Sequence, residues 1–150
     1  MTKNTQAIEF HQQDPDAIML MIDREVDKLI KAGILNDQEY ASGKARSMAR
    51  QGKSSLQIGV KLSGLGFDDS QLDTAMDLLK TEEGFSDRKA AAKYIKKRRF
   101  GPFKAPEVRE ERHQKELATL VRNGFDYSLA KALLTVETPA EIEDIIYGSD

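Results

Sequence analysis

The chain has 150 residues, no cysteine, 39% hydrophobic and 32% charged residues, and a formal net charge of −2, which suits one domain or a string of small units with wide solvated helix faces. Disulfides, thiolate metal sites and cysteine nucleophiles are excluded, and no run of about 18 apolar residues exists to span a membrane. The opening MTKNTQAIEFHQQDPDA has no apolar core of the kind a secretory signal carries, so a soluble, cytoplasmic protein is expected.

The apolar periodicity is helical nearly throughout. Residues 1–13 read as a disordered N-terminal segment. Asp14-Pro15 opens a first helix, with Asp as N-cap and Pro at the first helical position. Its apolar stripe is Ile18, Ile22, Val26, Leu29 and Ile30, and Gly33 closes it. Asn36-Asp37 caps the next helix, whose inward residues are Tyr40, Ala41, Ala45 and Met48 and which Gln51-Gly52 stops. Ser54-Ser55 caps a third, carrying Ile58, Leu62 and Leu65 and closing at Gly66. A fourth runs from about Ser70 with Leu72, Ala75, Met76 and Leu79. Ser86 or Asp87 caps a fifth. A sixth follows Pro106, with Val108, Leu117, Leu120 and Val121 inward, and stops at Gly124. A seventh begins near Ser128 with Leu129, Leu133 and Leu134. The last opens on a capping box, Thr138-Pro139-Ala140-Glu141. No segment alternates with period two for long enough to predict a strand.

The fifth helix runs into a charge anomaly. Residues 1–87 carry −5 and residues 105–150 carry −5, whereas residues 88–104 hold eight cations and no acid. Lys89, Lys93, Lys96 and Lys97 fall within an arc of about 100° on one helix face. Arg98 and Arg99 lead into Phe100-Gly101-Pro102-Phe103-Lys104, where Gly-Pro ends the helix. Such a face attracts phosphates, and aromatics beside it stack on bases; an acidic protein groove attracts it equally. Core cover is the bland alternative for Phe100 and Phe103, and solvation for the lysines.

The chain also repeats itself. Leu-x-x-x-Gly followed by a large apolar residue occurs at Leu29 to Ile34, Leu62 to Phe67 and Leu120 to Phe125. GFDDSQLDTA from residue 66 parallels GFDYSLAKAL from residue 124, and Asp37-x-x-Tyr40-Ala41 parallels Asp87-x-x-Ala90-Ala91. The second unit matches the first with an insertion, RFGPFKAP, at a helix–helix turn. Units this short share their apolar faces with stacked neighbours. The expected organisation is a partial repeat at 14–35, three-helix repeats at 36–80 and 86–136 with the insert near 99–106, and a C-terminal helix at 138–147.

Enzymatic chemistry finds no support. His11 and His113 have no partner at ligand or catalytic spacing, no pair of carboxylates stands apart as acid and base, and no phosphate loop, dinucleotide fingerprint or zinc spacing appears. No catalytic residue, metal or cofactor is expected.

The residues do carry a resemblance. Leu29-x-x-x-Gly33-Ile34-Leu35-x-Asp37-x-x-Tyr40-Ala41, then Arg46, Arg50, Gly52, Ile58, Leu62 and Gly66-Phe67, resemble the RecX family over residues 18 to 135, as do the RRFGPFK insert and the NGFDYSLA that follows. The family regulates the RecA recombinase. The resemblance implies an all-α fold of tandem three-helix repeats in an elongated, curved array that lies in the groove of the RecA–DNA filament and restrains its ATP hydrolysis and strand exchange. The implied partners are the RecA filament and single- or double-stranded DNA, met by a monomer through Lys89, Lys93, Lys96, Lys97, Arg98, Arg99 and Lys104, with Phe100 and Phe103 as anchors or supports. A stand-alone helical nucleic-acid-binding module is the alternative.

Overall fold

The computed structural model describes residues 22, 24–29 and 37–148. The expectations for residues 1–13, the Asp14-Pro15 start, the Gly33 stop and Asn36 lie outside them. The chain divides into two compact units, Met1–Tyr40 and Ala41–Asp150. In the first, residues 24–29 are helical. Ile22 and Leu29 are exposed there and Val26 is half-buried. Two of the three described positions of that predicted stripe therefore face outward: an amphipathic pattern marks a face able to pack without naming what packs on it.

From residue 37 the elements are α1 (Asp37–Arg50), α2 (Ser55–Gly64), α3 (Asp69–Glu82), α4 (Asp87–Arg98), a 3-10 turn (Gly101–Phe103), α5 (Pro106–Arg122), α6 (Tyr127–Leu134) and α7 (Pro139–Tyr147). No described residue is in a strand, so the fold is all-α.

Local chemistry accounts for the starts. Each helix leaves its first N–H groups without an internal partner, and a short polar side chain supplies one. The Ser54 hydroxyl accepts from the Gln57 N–H at 3.1 Å and the Gln57 side chain reaches back to the Ser54 N–H. Asp68 and Gln71 do the same for α3. Ser86 caps α4 and Asp126 caps α6. The Glu141 carboxylate accepts from the Thr138 N–H at 2.9 Å.

The ends are equally local. Gly66 (φ 96°) and Gly124 (φ 92°) take the left-handed conformation that glycine alone adopts without cost. The next N–H then turns back onto the helix: Phe67 donates to the Leu62 carbonyl at 3.2 Å and Phe125 to the Leu120 carbonyl at 3.1 Å. At the two described occurrences, Leu62 to Phe67 and Leu120 to Phe125, the repeated Leu-x-x-x-Gly-apolar signature is this reversal.

The tertiary packing centres on α4. Ala90, Ala91, Ala92 and Ile95 are buried together with Leu117, Leu120, Phe125, Ala130, Leu133, Leu134, Ile142 and Ile145. Ala90, Ala91 and Ala92 spread over about 200° of α4 and keep its buried half slim, and α7 packs against that helix. Ala41, Ala45, Met48, Ile58, Leu62, Ala75 and Leu79 are the corresponding buried positions of α1 to α3.

On α5 the reading of the inward stripe needs correction. Leu117 and Leu120 are buried, but Val108 and Val121 are 40% and 43% exposed. The third inward residue is a charged one, Glu116, at 4% exposure. At about 100° per residue, Val121 is carried past the edge of the stripe centred on these three.

Candidate functional site: a cationic cleft beside α4

Because α4 buries its alanines and Ile95, its lysines must face away from the core. Two further devices decide what surrounds them.

The first is a polar joint. The start of α2 is held by side chains from far along the chain. Asp87, at the first turn of α4, accepts from the Ser55 N–H at 2.7 Å and from its hydroxyl at 2.6 Å. The fully buried Ser54 donates its hydroxyl to the Asn123 carbonyl at 2.8 Å, and Gln57 donates to the Asn123 side chain at 3.0 Å. The α1–α2 turn is thereby seated on α4: a Cβ at Gly52 would lie 3.7 Å from the Ala90 carbonyl and from the Lys93 Cβ. Arg50 and Gln51 consequently stand beside the lysine face.

The second is the corner after α4. Arg99 is left-handed (φ 58°, ψ 45°), the one non-glycine among the described residues with positive φ. The Phe100 N–H closes the helix onto the Ile95 carbonyl at 2.9 Å. Gly101 then passes so close to α6 that a Cβ there would meet the Leu134 carbonyl oxygen at 3.0 Å. Its N–H donates to Glu116 Oε1 at 2.8 Å, while Glu116 Oε2 pairs with Lys104 at 3.5 Å. Arg109 donates to the carbonyls of Leu134 and Val136, closing the end of α6 against the same corner. RFGPF is thus a buttressed turn.

These devices sort the predicted site residues. Lys93, Lys96, Lys97, Arg99 and Phe103 line one cleft of about 810 Å³, together with Arg50, Gln51, Glu143, Ile146 and Tyr147. Three cations are engaged internally. Arg98 lies over the Tyr94 ring at 5.4 Å, Lys104 lies over the Phe100 ring at 5.8 Å and pairs with Glu116, and Lys96 is held by α7. Phe100 packs edge-on to Tyr94 at 5.8 Å against the core, so it supports the corner. Lys89 is on α4, half-buried, outside the cleft lining.

Lys96 donates to the Tyr147 hydroxyl at 3.1 Å, sits 4.9 Å from the Tyr147 ring centroid and pairs with Glu143 at 3.6 Å. The hydrogen bond to Tyr147, with the Glu143 carboxylate adding to it, raises the Lys96 pKa above that of an ordinary lysine, against a smaller opposing cost of desolvation.

The sequence reading gave Glu116, Glu143 and Tyr147 no role, and named Arg50 only as a mark of the resemblance and not as a site residue. Tyr147 left a trace as the last residue of a helix already predicted to pack. Among the described residues no cluster of His, Asp and Glu has the makings of a metal site, and no helix is long and apolar enough to cross a membrane.

The chain is 33% identical over 129 residues to the Regulatory protein RecX of Myxococcus xanthus (strain DK1622), covering 85% of this chain and 68% of that one. It is 32% identical over 112 residues to the Regulatory protein RecX of Agrobacterium fabrum (strain C58), covering 75% of this chain and 57% of the relative. No family model and no solved structure matches.

Proposed function

The chain belongs to the RecX family, and from that premise we propose that it binds the RecA–DNA filament and lowers its ATPase and strand-exchange activity, in recombination and SOS repair in the cytoplasm. In this reading it acts as a monomer by binding alone, with no active site of its own. Residues 36–80 and 86–136 form tandem three-helix units of an array that spans neighbouring RecA protomers. The cationic face of α4 and the corner after it meet phosphates or acidic protein surface in the filament groove. Tighter binding to one filament state than to another then shifts the population of states.

One observation carries the reading: Lys93, Lys97 and Arg99 line one concave face together with Arg50, and among the described residues none of these four side chains has a partner. A face of uncancelled like charge, held rigid from two sides, favours an anionic partner surface.

The test is RecA-dependent ATP hydrolysis on single-stranded DNA. The wild-type chain is expected to slow hydrolysis. Reversal of Lys93, Lys96 and Lys97 to Glu is expected to abolish the effect at moderate salt while helical circular dichroism is unchanged. Undiminished inhibition by that folded variant refutes the assignment.

Tyr147 and Phe103 beside the cations favour a second reading, a stand-alone nucleic-acid-binding module. It predicts DNA binding without RecA whose affinity falls steeply with salt, with a log–log slope of about −0.7 per neutralised phosphate on single strands.

A further inference from the structure

We propose that the cleft is also a binding site for a free nucleoside polyphosphate, with Arg50, Lys93, Lys97 and Arg99 on the phosphates and Tyr147 against the base. The proposal adds a small ligand to the face assigned above and stands whether or not that face docks on a filament.

The charge arithmetic of the cleft comes first. Its one lining carboxylate, Glu143, is paired with Lys96 at 3.6 Å. Among the described residues, the side chains of Arg50, Lys93, Lys97 and Arg99 have no hydrogen-bond, ion-pair or ring partner. Four cations are therefore left uncancelled around one concave space of about 810 Å³, within the range of small-ligand sites. A nucleic-acid strand spreads its phosphates along its axis, one per about 3.4 Å. A triphosphate gathers its negative charge into one compact group, which matches cations that share a cleft.

Arg99 supplies a second, independent observation. The reversals after α2 and α5 use glycine at the left-handed position, and the one after α4 uses arginine. A left-handed arginine stores backbone strain, and strain retained at a cleft is a mark of function. The conformation places a guanidinium, with its fork of donors suited to phosphate oxygens, at the cleft.

The third observation is the apolar wall. Phe103, Ile146 and Tyr147 line the same space, and Tyr147 is 73% exposed although it is aromatic. A bare carboxylate ligand leaves that wall unused; a base stacks on it.

The experiment is calorimetric titration of the full chain with ATP, inorganic triphosphate, adenosine and a single-stranded oligonucleotide of equal phosphate number, at about physiological salt. One saturable site for ATP is expected, with triphosphate several-fold weaker and adenosine silent. Arg99→Gly puts glycine where the backbone already suits it, so the fold is kept. It is expected to weaken ATP about tenfold, the loss of one charge-assisted contact. Tyr147→Ala is expected to weaken ATP severalfold and to leave triphosphate unchanged. No saturable ATP binding, an unchanged affinity in Arg99→Gly, equal affinity for triphosphate and ATP, or an oligonucleotide that binds as tightly as ATP each overturns the proposal. A chain that sediments with the RecA filament yet ignores ATP fails this inference alone; one that binds ATP and ignores the filament fails the regulator reading alone.

Discussion

Gly66 and Gly124 occupy the same place in the two helix reversals, and alanine at each should separate backbone strain from packing. Both have φ beyond +90°, so either substitution forces a left-handed alanine, at a cost of about 1–2 kcal/mol. Their surroundings differ. A Cβ at Gly66 meets nothing within 4 Å. A Cβ at Gly124 lies 2.6 Å from the Ser54 hydroxyl, 3.1 Å from the Leu56 Cβ and 3.2 Å from its Cδ2. Ser54 has no room to yield, since it is fully buried, donates to the Asn123 carbonyl and accepts from the Gln57 N–H. Overpacking of this kind costs about 1–3 kcal/mol more. Gly124→Ala is therefore expected to lose about 2–5 kcal/mol and Gly66→Ala about 1–2 kcal/mol. Urea denaturation followed by far-ultraviolet circular dichroism reads the difference as a shift in midpoint. Equal losses at the two positions would refute the claim that the polar joint is tightly packed and leave only the shared backbone term.

Two further outcomes follow from the corner and the cleft. Glu116→Gln keeps an acceptor for the buried Gly101 N–H and gives up the Lys104 pair, whereas Glu116→Ala orphans that N–H; the alanine variant is expected to be less stable by about 1–3 kcal/mol in the same denaturation assay. Lys96 is expected to hold its proton to higher pH than an ordinary lysine side chain, and Tyr147→Phe to lower its pKa toward the ordinary value, as read from side-chain carbon NMR shifts. The sign follows from the raised pKa: whatever the Tyr147 contact contributes is complete below the ordinary lysine range and fades as pH climbs through the raised value.

The helix starts and ends were open to sequence reasoning because they are short-range. Ser86 lies three residues from the N–H it caps, Glu141 three from the Thr138 N–H it accepts, and Gly66 and Gly124 act within one turn. The lysine arc on α4 was equally visible, since helical geometry and the buried Ala90 to Ala92 fix which side it faces. The rest of the cleft depends on separations no local pattern encodes. Ser55 meets Asp87 across 32 residues, Ser54 meets Asn123 across 69, and Lys96 meets Tyr147 across 51. Glu116 looks like any other acid in EERHQKE, and its burial follows from Gly101 turning an N–H toward it. Val121 was misplaced because the buried stripe is centred on Glu116, Leu117 and Leu120, which leaves that valine past its edge.

The joint at Ser54 has one more implication, in the alignment of peptide dipoles. The amino end of α2 abuts the carboxyl end of α5 through the Asn123 carbonyl, so the positive pole of one helix meets the negative pole of the other. The Asp87 carboxylate stands at that same positive pole. Opposite poles in buried register attract with little screening by salt. Ionic strength should therefore loosen whatever the cations hold well before it loosens the framework that presents them.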